Sequence, residues 1–385
     1  MSEHTANSRW IVPMRPRSPE EAHRAATPLE LFFDLVFVVA VAQAGLALHH
    51  SLAEGHILEG IIGYTAVFFA IWWAWMNFTW FASAYDCNDV PYRVATFVQL
   101  AGALILAAGV PQAFEGDYSI VVVGYVVMRL AMVTQYLRAG RSNPSRWPTA
   151  VRYAVGVTAC QIGWIILLSF QGLWWHPFVF VGLGIVELLV PAWGERAGAT
   201  SWHPGHIAER YGLFTIIVLG ESILATSLGI QAAVEAGEFS ADLITIIIGG
   251  LLIIFSMWWV YFDWSMEGML TSLRRAFGWG YGHFLVFGSA AAVGAGLAVA
   301  IDQALHHAEI GVVEAGAAVA IPVAIFLLVL WGLHIGFQER NRVQMFLVPI
   351  AIVLILLTPL TGQAPLLIGL LLVALLTFKL VNSYR

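Results

Sequence analysis

Acids and amides set inside apolar runs are the residues of this chain whose types and spacing point to chemistry. Residues Thr27 to Ala47 read TPLELFFDLVFVVAVAQAGLA, apolar enough to cross a bilayer yet carrying Glu30, Asp34 and Gln43. An unpaired carboxylate is expensive in hydrocarbon, so Asp34 must face protein or a water-filled cavity. The theme returns at His203 to Gly229, HPGHIAERYGLFTIIVLGESILATSLG, with Glu209, Arg210 and Glu221. At about 1.5 Å of rise per residue, Glu221 lies beyond the midplane, toward the outer face. Gly220 and Ser222 flank it, and no basic residue matches its depth. A carboxyl group so placed can take up and release a proton. The alternative is a neutral Glu hydrogen-bonded across a helix contact, with Gln43 the nearest equivalent on the first helix. Asp34 and Gln43 are nine residues apart, which puts them on opposite faces of an unbroken helix.

Arg129, within GYVVMRLAMVTQY, needs a carboxylate partner or a water path. Asp34 and Glu187 are the acids matched to it in depth. Either they form a structural ion pair that fixes helix packing, or they belong to a transport or proton-relay path. Glu30, one turn before Asp34, is expected at the lipid–water boundary, favouring the positive end of its helix. Glu209 and Arg210 are expected as an exposed boundary pair. Asn77, Asp86, Asp89 and Asp263 gather toward the cytoplasmic ends of the second and eighth helices, near Arg93, Arg274 and Arg275. They read either as an inner vestibule or as solvated loop charge. His283 and His334 read as packing or hydrogen-bonding residues that are able to titrate near neutrality. His306, His307 and Glu309 lack further spaced ligands, so no metal site and no cofactor are expected. Trp72, Trp73, Trp75, Trp80, Trp174, Trp175, Trp258 and Trp259 read as aromatic belts near helix ends.

The elements that must position these residues follow from composition. Of 385 residues, 59% are hydrophobic and only 11% charged, more apolar surface than a water-soluble domain can hide. The expected fold is an all-α polytopic membrane protein of about twelve transmembrane helices, with a short eleventh span near 343–359. Residues 1–27 read as a mobile cytoplasmic tail and not as a cleavable signal. Residues 28–195 form a first six-helix half, and 196–385 a second. Arg and Lys fall on alternate loops: Arg9, Arg15, Arg17 and Arg24, then Arg93, Arg138, Arg141, Arg146 and Arg152, then Arg196, Arg274, Arg275, Arg340 and Arg342, with Lys379 and Arg385 at the end. The opposite loops carry Glu54, Glu115, Asp117, Glu235, Glu238 and Glu309. The asymmetry places both termini in the cytoplasm. ELFF at Glu30 aligns with ERYG at Glu209, and WWAWMNF at Trp72 with WWVYFDW at Trp258, so a parallel internal repeat is expected. Cys87 and Cys160 offer neither a disulfide framework nor metal spacing.

The segments TPLELFFDLVFVVAVAQ, WFASAYDCNDVPYR and HIAERYGLFTIIVLGESIL together resemble the bacterial low-temperature-requirement protein A family, and the likeness spans nearly the whole chain. In the middle segment Tyr85-Asp86 precedes Cys87 and Asn88, where the family has a more acidic stretch. The resemblance implies a multi-pass protein of the bacterial inner membrane, linked to growth in the cold.

No phosphate-binding Gly loop, HExxH motif or nucleophile elbow occurs, so no enzyme is expected, and nucleic-acid binding has no support. The partners expected are the lipid bilayer and a small solute or ion. The leading reading is a proton-linked secondary transporter. Here Glu221 and Asp34 carry protonation, Arg129 balances buried charge and Gln43 contributes a hydrogen bond. A proton or ion channel and a lipid-handling or sensory membrane protein are the alternatives.

Overall fold

The computed structural model describes residues 10–21, 24–237, 240–263, 270, 272–334 and 342–383. Arg9, Glu238, Arg340 and Arg385, among the charges used above for orientation, lie outside the described residues. The chain forms α1 (Pro28–Ala53), α2 (Ile57–Tyr85), α3 (Val90–Ala108), α4 (Val110–Phe114), α5 (Ser119–Ser142), α6 (Trp147–Leu168) and α7 (His176–Glu195). It continues as α8 (Pro204–Ala236), α9 (Ala241–Phe262), α10 (Leu273–Ala304), α11 (Val312–His334), α12 (Arg342–Leu357) and α13 (Ala364–Ser383). Among the described residues there is no strand.

Helix starts follow local chemistry. Asp89 caps α3 by accepting from Tyr92 N at 3.0 Å, and Ser240 caps α9 by accepting from Leu243 N at 3.1 Å. Thr27 and Glu30 form a reciprocal box at the start of α1: Thr27 N donates to Glu30 Oε2 at 2.7 Å and Glu30 N to Thr27 Oγ1 at 3.3 Å. Eleven helices among the described residues are long and apolar enough to cross a membrane, and Phe346–Thr361 is a shorter apolar helix in the place of the expected eleventh span. Pro349 lies inside α12, and Pro359 opens a 3-10 turn that ends at Gly362 in the left-handed region.

The chain divides into two compact units, residues 1–40 with 70–210, and residues 41–69 with 211–385. These are drawn differently from a division into sequential halves at residue 195, because α1, α2 and α8 each contribute to both. In unit one, α3 packs on α5, α5 on α6 and α6 on α7. The α3–α5 crossing is close because Gly102 meets Gly124: a Cβ on Gly102 would lie 2.7 Å from Gly124 O. In unit two, α10 packs on α11 and α13 on α9. There Gly294 lets α10 approach α8, where a Cβ would lie 2.8 Å from Ser222 Cα.

Two expectations need correction at this level. The described part of the N-terminal segment, residues 10–21 and 24–27, is seated on unit one and not mobile there. Val12 N donates to Asp89 Oδ2 at 2.8 Å, Met14 N to Ser142 Oγ at 3.0 Å and Arg17 N to Ala84 O at 2.8 Å, and Met14 and Arg24 are buried. The Asp89 carboxylate, the Ser142 hydroxyl, the Ala84 carbonyl and the apolar Met14 side chain supply the anchorage that a polar composition hides. The aromatic belt also thins out: Trp72, Trp73 and Trp75 are fully buried, whereas Trp174, Trp258 and Trp259 stay exposed.

Candidate functional site

Unit one carries a buried cluster of charge at the N-terminal ends of α1 and α8. Arg210 grips Asp34 with both edges of its fork, Nη2 to Oδ1 at 2.5 Å and Nε to Oδ2 at 3.1 Å. Its Nη1 lies 3.1 Å from Glu30 Oε1. Trp75 donates its indole N–H to Asp34 Oδ1 at 2.7 Å. His206 Nε2 lies 3.1 Å and Arg24 Nη2 3.5 Å from the same Glu30 oxygen. Arg24 also donates to Ala82 O at 2.8 Å. Glu30 thus divides its carboxylate: one oxygen closes the α1 cap and the other meets three nitrogen-bearing side chains. Glu30, Asp34, His206 and Arg210 are all fully buried.

This overturns the expected boundary roles of Glu30 and Arg210. Only Glu209 keeps a peripheral place, accepting from Ala26 N at 3.3 Å. The geometry explains why. Pro28 opens α1 and Pro204 opens α8, and Asp34 and Arg210 each follow their proline by six residues. Equal rise per residue then brings acid and base to one level. Arg24, His206 and Trp75 were not recognised in the sequence. The Thr27-x-x-Glu30 box and the matched proline offsets are the signals that find this cluster.

A second buried assembly in unit one repeats the chemistry. Glu187 on α7 accepts from Trp164 Nε1 at 3.0 Å and Gln161 Nε2 at 3.2 Å, both on α6, and lies 3.4 Å from Arg129 Nε on α5. Of the two acids matched to Arg129 in depth, Glu187 is its partner, and Asp34 is committed to Arg210. Each site joins a carboxylate, an arginine and an indole N–H. The indole and, at Glu187, the Gln161 amide satisfy lone pairs that an arginine alone leaves open.

The four polar residues read as a vestibule or as loop charge each have local partners. Asn77 donates to Trp73 O of its own helix at 2.7 Å. Asp89 is held by a bidentate ion pair with Arg138, while Arg93 Nε donates to Asn88 Oδ1 at 2.9 Å. Asp263 belongs to unit two and pairs with Lys379. Burial pushes the Asp89 carboxyl up, but Arg138 and the Val12 and Tyr92 amides outweigh it and hold the group below the usual carboxylate range. Asp86, at the end of α2, goes the other way. Burial, reinforced by Glu30 and opposed by Arg24, lifts it to about 6.

Unit two contains a cavity of about 330 Å³ between α1, α8 and α10. Gln43, His49, Glu221, Ser222 and Asp302 line it, among small apolar walls. His49 Nε2 lies 2.6 Å from Asp302 Oδ2, and Ser222 Oγ donates to Ala290 O at 3.0 Å. Glu221 and Gln43 share the cavity but do not bond each other, and neither has a hydrogen-bond or ion-pair partner among the described residues. The alternative of a Glu221–Gln43 hydrogen bond is not seen: the two side chains open onto space. A second cavity of about 440 Å³ in unit two is almost wholly apolar, lined by Tyr64, Phe68, Phe284 and Pro322, with Glu314 also in its wall. His283 Nε2 meets Tyr261 Oη at 3.1 Å, and His334 Nδ1 meets Leu330 O at 2.6 Å, both packing roles. No group of three or more metal-ligating side chains occurs among the described residues. Cys87 and Cys160 are free.

Apolar helices of spanning length, with arginine–carboxylate pairs sealed inside, define a polytopic α-helical membrane protein. The chain belongs to the bacterial low temperature requirement A protein family, whose match runs over residues 25–381. Over 250 residues it is also 30% identical to the uncharacterized protein RA0937 of Rhizobium meliloti (strain 1021). That match covers 60% of this chain and 57% of the relative's length. No solved structure matches the chain.

Proposed function

We propose that the protein is a proton-linked secondary transporter of a small solute or ion, set in the bacterial inner membrane with both termini cytoplasmic, and that it is not an enzyme. The observation that carries this reading is the unit-two cavity, where Glu221 and Gln43 present polar atoms that nothing in the described protein satisfies. Polar side chains held open at this depth in a spanning helix mark solute or ion paths. In this reading Glu221 exchanges the proton and Gln43 offers a hydrogen bond to the solute. Asp34 with Arg210, and Glu187 with Arg129, are closed ion pairs that hold helices in register. The parallel repeat read from ELFF and ERYG remains part of the proposal.

The test is proton flux in proteoliposomes loaded with a pH dye, with and without an imposed potential, for wild type and Glu221→Gln. A wild-type flux lost in the variant is the expected result. Absence of flux from a folded wild-type protein, across a panel of solutes, sinks the reading. A rate far above carrier turnover moves it to a channel. The apolar cavity beside Tyr64 and Phe68 favours a second reading, lipid handling, which predicts altered membrane lipid composition on deletion and no solute flux.

A further inference from the structure

We propose that the unit-two cavity binds a small alkylammonium compound, its cationic nitrogen against Glu221 and its hydrocarbon part along the alanine walls. The inference rests on the transport reading and names the substrate class of that site. Three observations carry it. The lining holds two acids, Glu221 and Asp302, and neither Arg nor Lys. Asp302 is engaged by His49, which leaves Glu221 as the acid open to a ligand. The remaining wall is apolar side chains, Val41, Ala225, Ala291, Ala295 and Ala298 among them, with glycine between, which suits hydrocarbon.

Size and donor count then separate the cation classes. A cavity of about 330 Å³ sits at the lower end of the range for organic ligands, about 300–1,000 Å³. Hard metal ions want about six or more converging oxygens. Here the oxygens are few: the Glu221 carboxylate, the Gln43 amide, Ser222 Oγ already donating to Ala290 O, and the engaged Asp302. An ammonium group needs only two or three acceptors, and Glu221 with Gln43 supplies them. The α10–α8 approach at Gly294 closes one wall, so the alkyl chain meets backbone there and not lipid.

The experiment is calorimetric titration of the full-length protein in nanodiscs with n-butylammonium chloride, n-butanol, sodium butyrate and sodium chloride, with empty nanodiscs as the blank. Saturable binding of butylammonium alone is expected. Glu221→Gln should weaken it at least tenfold while circular dichroism stays unchanged. Ala298→Leu, which fills the cavity and keeps the carboxyl group, should abolish it. Equal binding of butanol or butyrate, a saturable response to sodium alone, or butylammonium binding that survives both variants overturns the assignment. Failure here is distinct from failure of the transport reading. Glu221-dependent proton flux in a protein that binds no amine rejects the ligand class and keeps the transporter. Tight amine binding without flux does the reverse.

Discussion

Arg210 neutralises two acids from inside the protein, and that makes it the side chain whose loss should be felt most. Removing one partner of a buried pair leaves the other charge stranded, at about 3–5 kcal/mol. Arg210→Gln strands Asp34 and uncovers Glu30, so a fall of that size is expected in unfolding experiments in detergent. Combining it with Asp34→Asn should recover more than half of the loss. Arg210→Lys should not rescue, because a point charge cannot reproduce the two-pronged grip. Asp86 supplies a pH signature. Its folded value of about 6 exceeds the ordinary carboxylate value of about 3.9, so the unfolded chain releases this proton first. Stability therefore falls as pH rises from about 4 to about 6, by up to about 3 kcal/mol, and is flat on either side. Asp86→Asn keeps a side-chain oxygen for the Asn88 amide and should be the more stable protein above pH 6, the gap closing below about pH 4. Thermal midpoints across that range read both. The two arginines differ in how far the sequence reveals them. Arg129 stands alone in an apolar run, so its need for an acid at equal depth points to Glu187. Arg210 follows Glu209 at the start of a run and imitates a boundary pair. Only the helix start at Pro204 reveals that it is nearly two turns inside.

Glycine contacts decide how near the helices of each unit can come. At Gly124 an added Cβ would run into the backbone of Leu106 and Gly102, neither of which can yield without parting α3 from α5. Gly124→Ala should cost about 1–3 kcal/mol. Gly182→Ala on α7 meets nothing within 4 Å and should be neutral within about 0.5 kcal/mol. Parallel melting curves settle the contrast. A double-mutant cycle on Arg129→Gln and Glu187→Gln should return a coupling of about 1–3 kcal/mol between α5 and α7. The spans are legible because each is a long apolar run, and the match of Arg129 to Glu187 is legible from rise per residue. The inward turn of Trp75 is not. Trp75 reads as a belt residue by type, and only the tertiary position of Asp34 turns its N–H inward. The partners of Asp89 and Asp263 are hidden for a similar reason: nearness in sequence to Arg93 and Arg275 says nothing about Arg138 and Lys379, which reach them from other helices.

Topology offers the broadest check. If Phe346–Thr361 crosses the bilayer, the chain has twelve spans and both termini share a side; if it does not, they lie on opposite sides. Reporter fusions at the two ends should both register in the cytoplasm. An external C-terminal reporter would remove the twelve-span count and the positive-charge argument together. The pairing of Asp34 with Arg210 also has a consequence in time. The two residues are 176 positions apart, and a ribosome adds about 5–20 residues per second. For about 10–35 s during synthesis the first helix therefore carries an acid whose base does not yet exist. Its early occupancy of the bilayer depends on a temporary shelter, in the insertion machinery or in water at the membrane edge. Chains arrested before residue 210 should remain there, and chains arrested beyond α8 should leave.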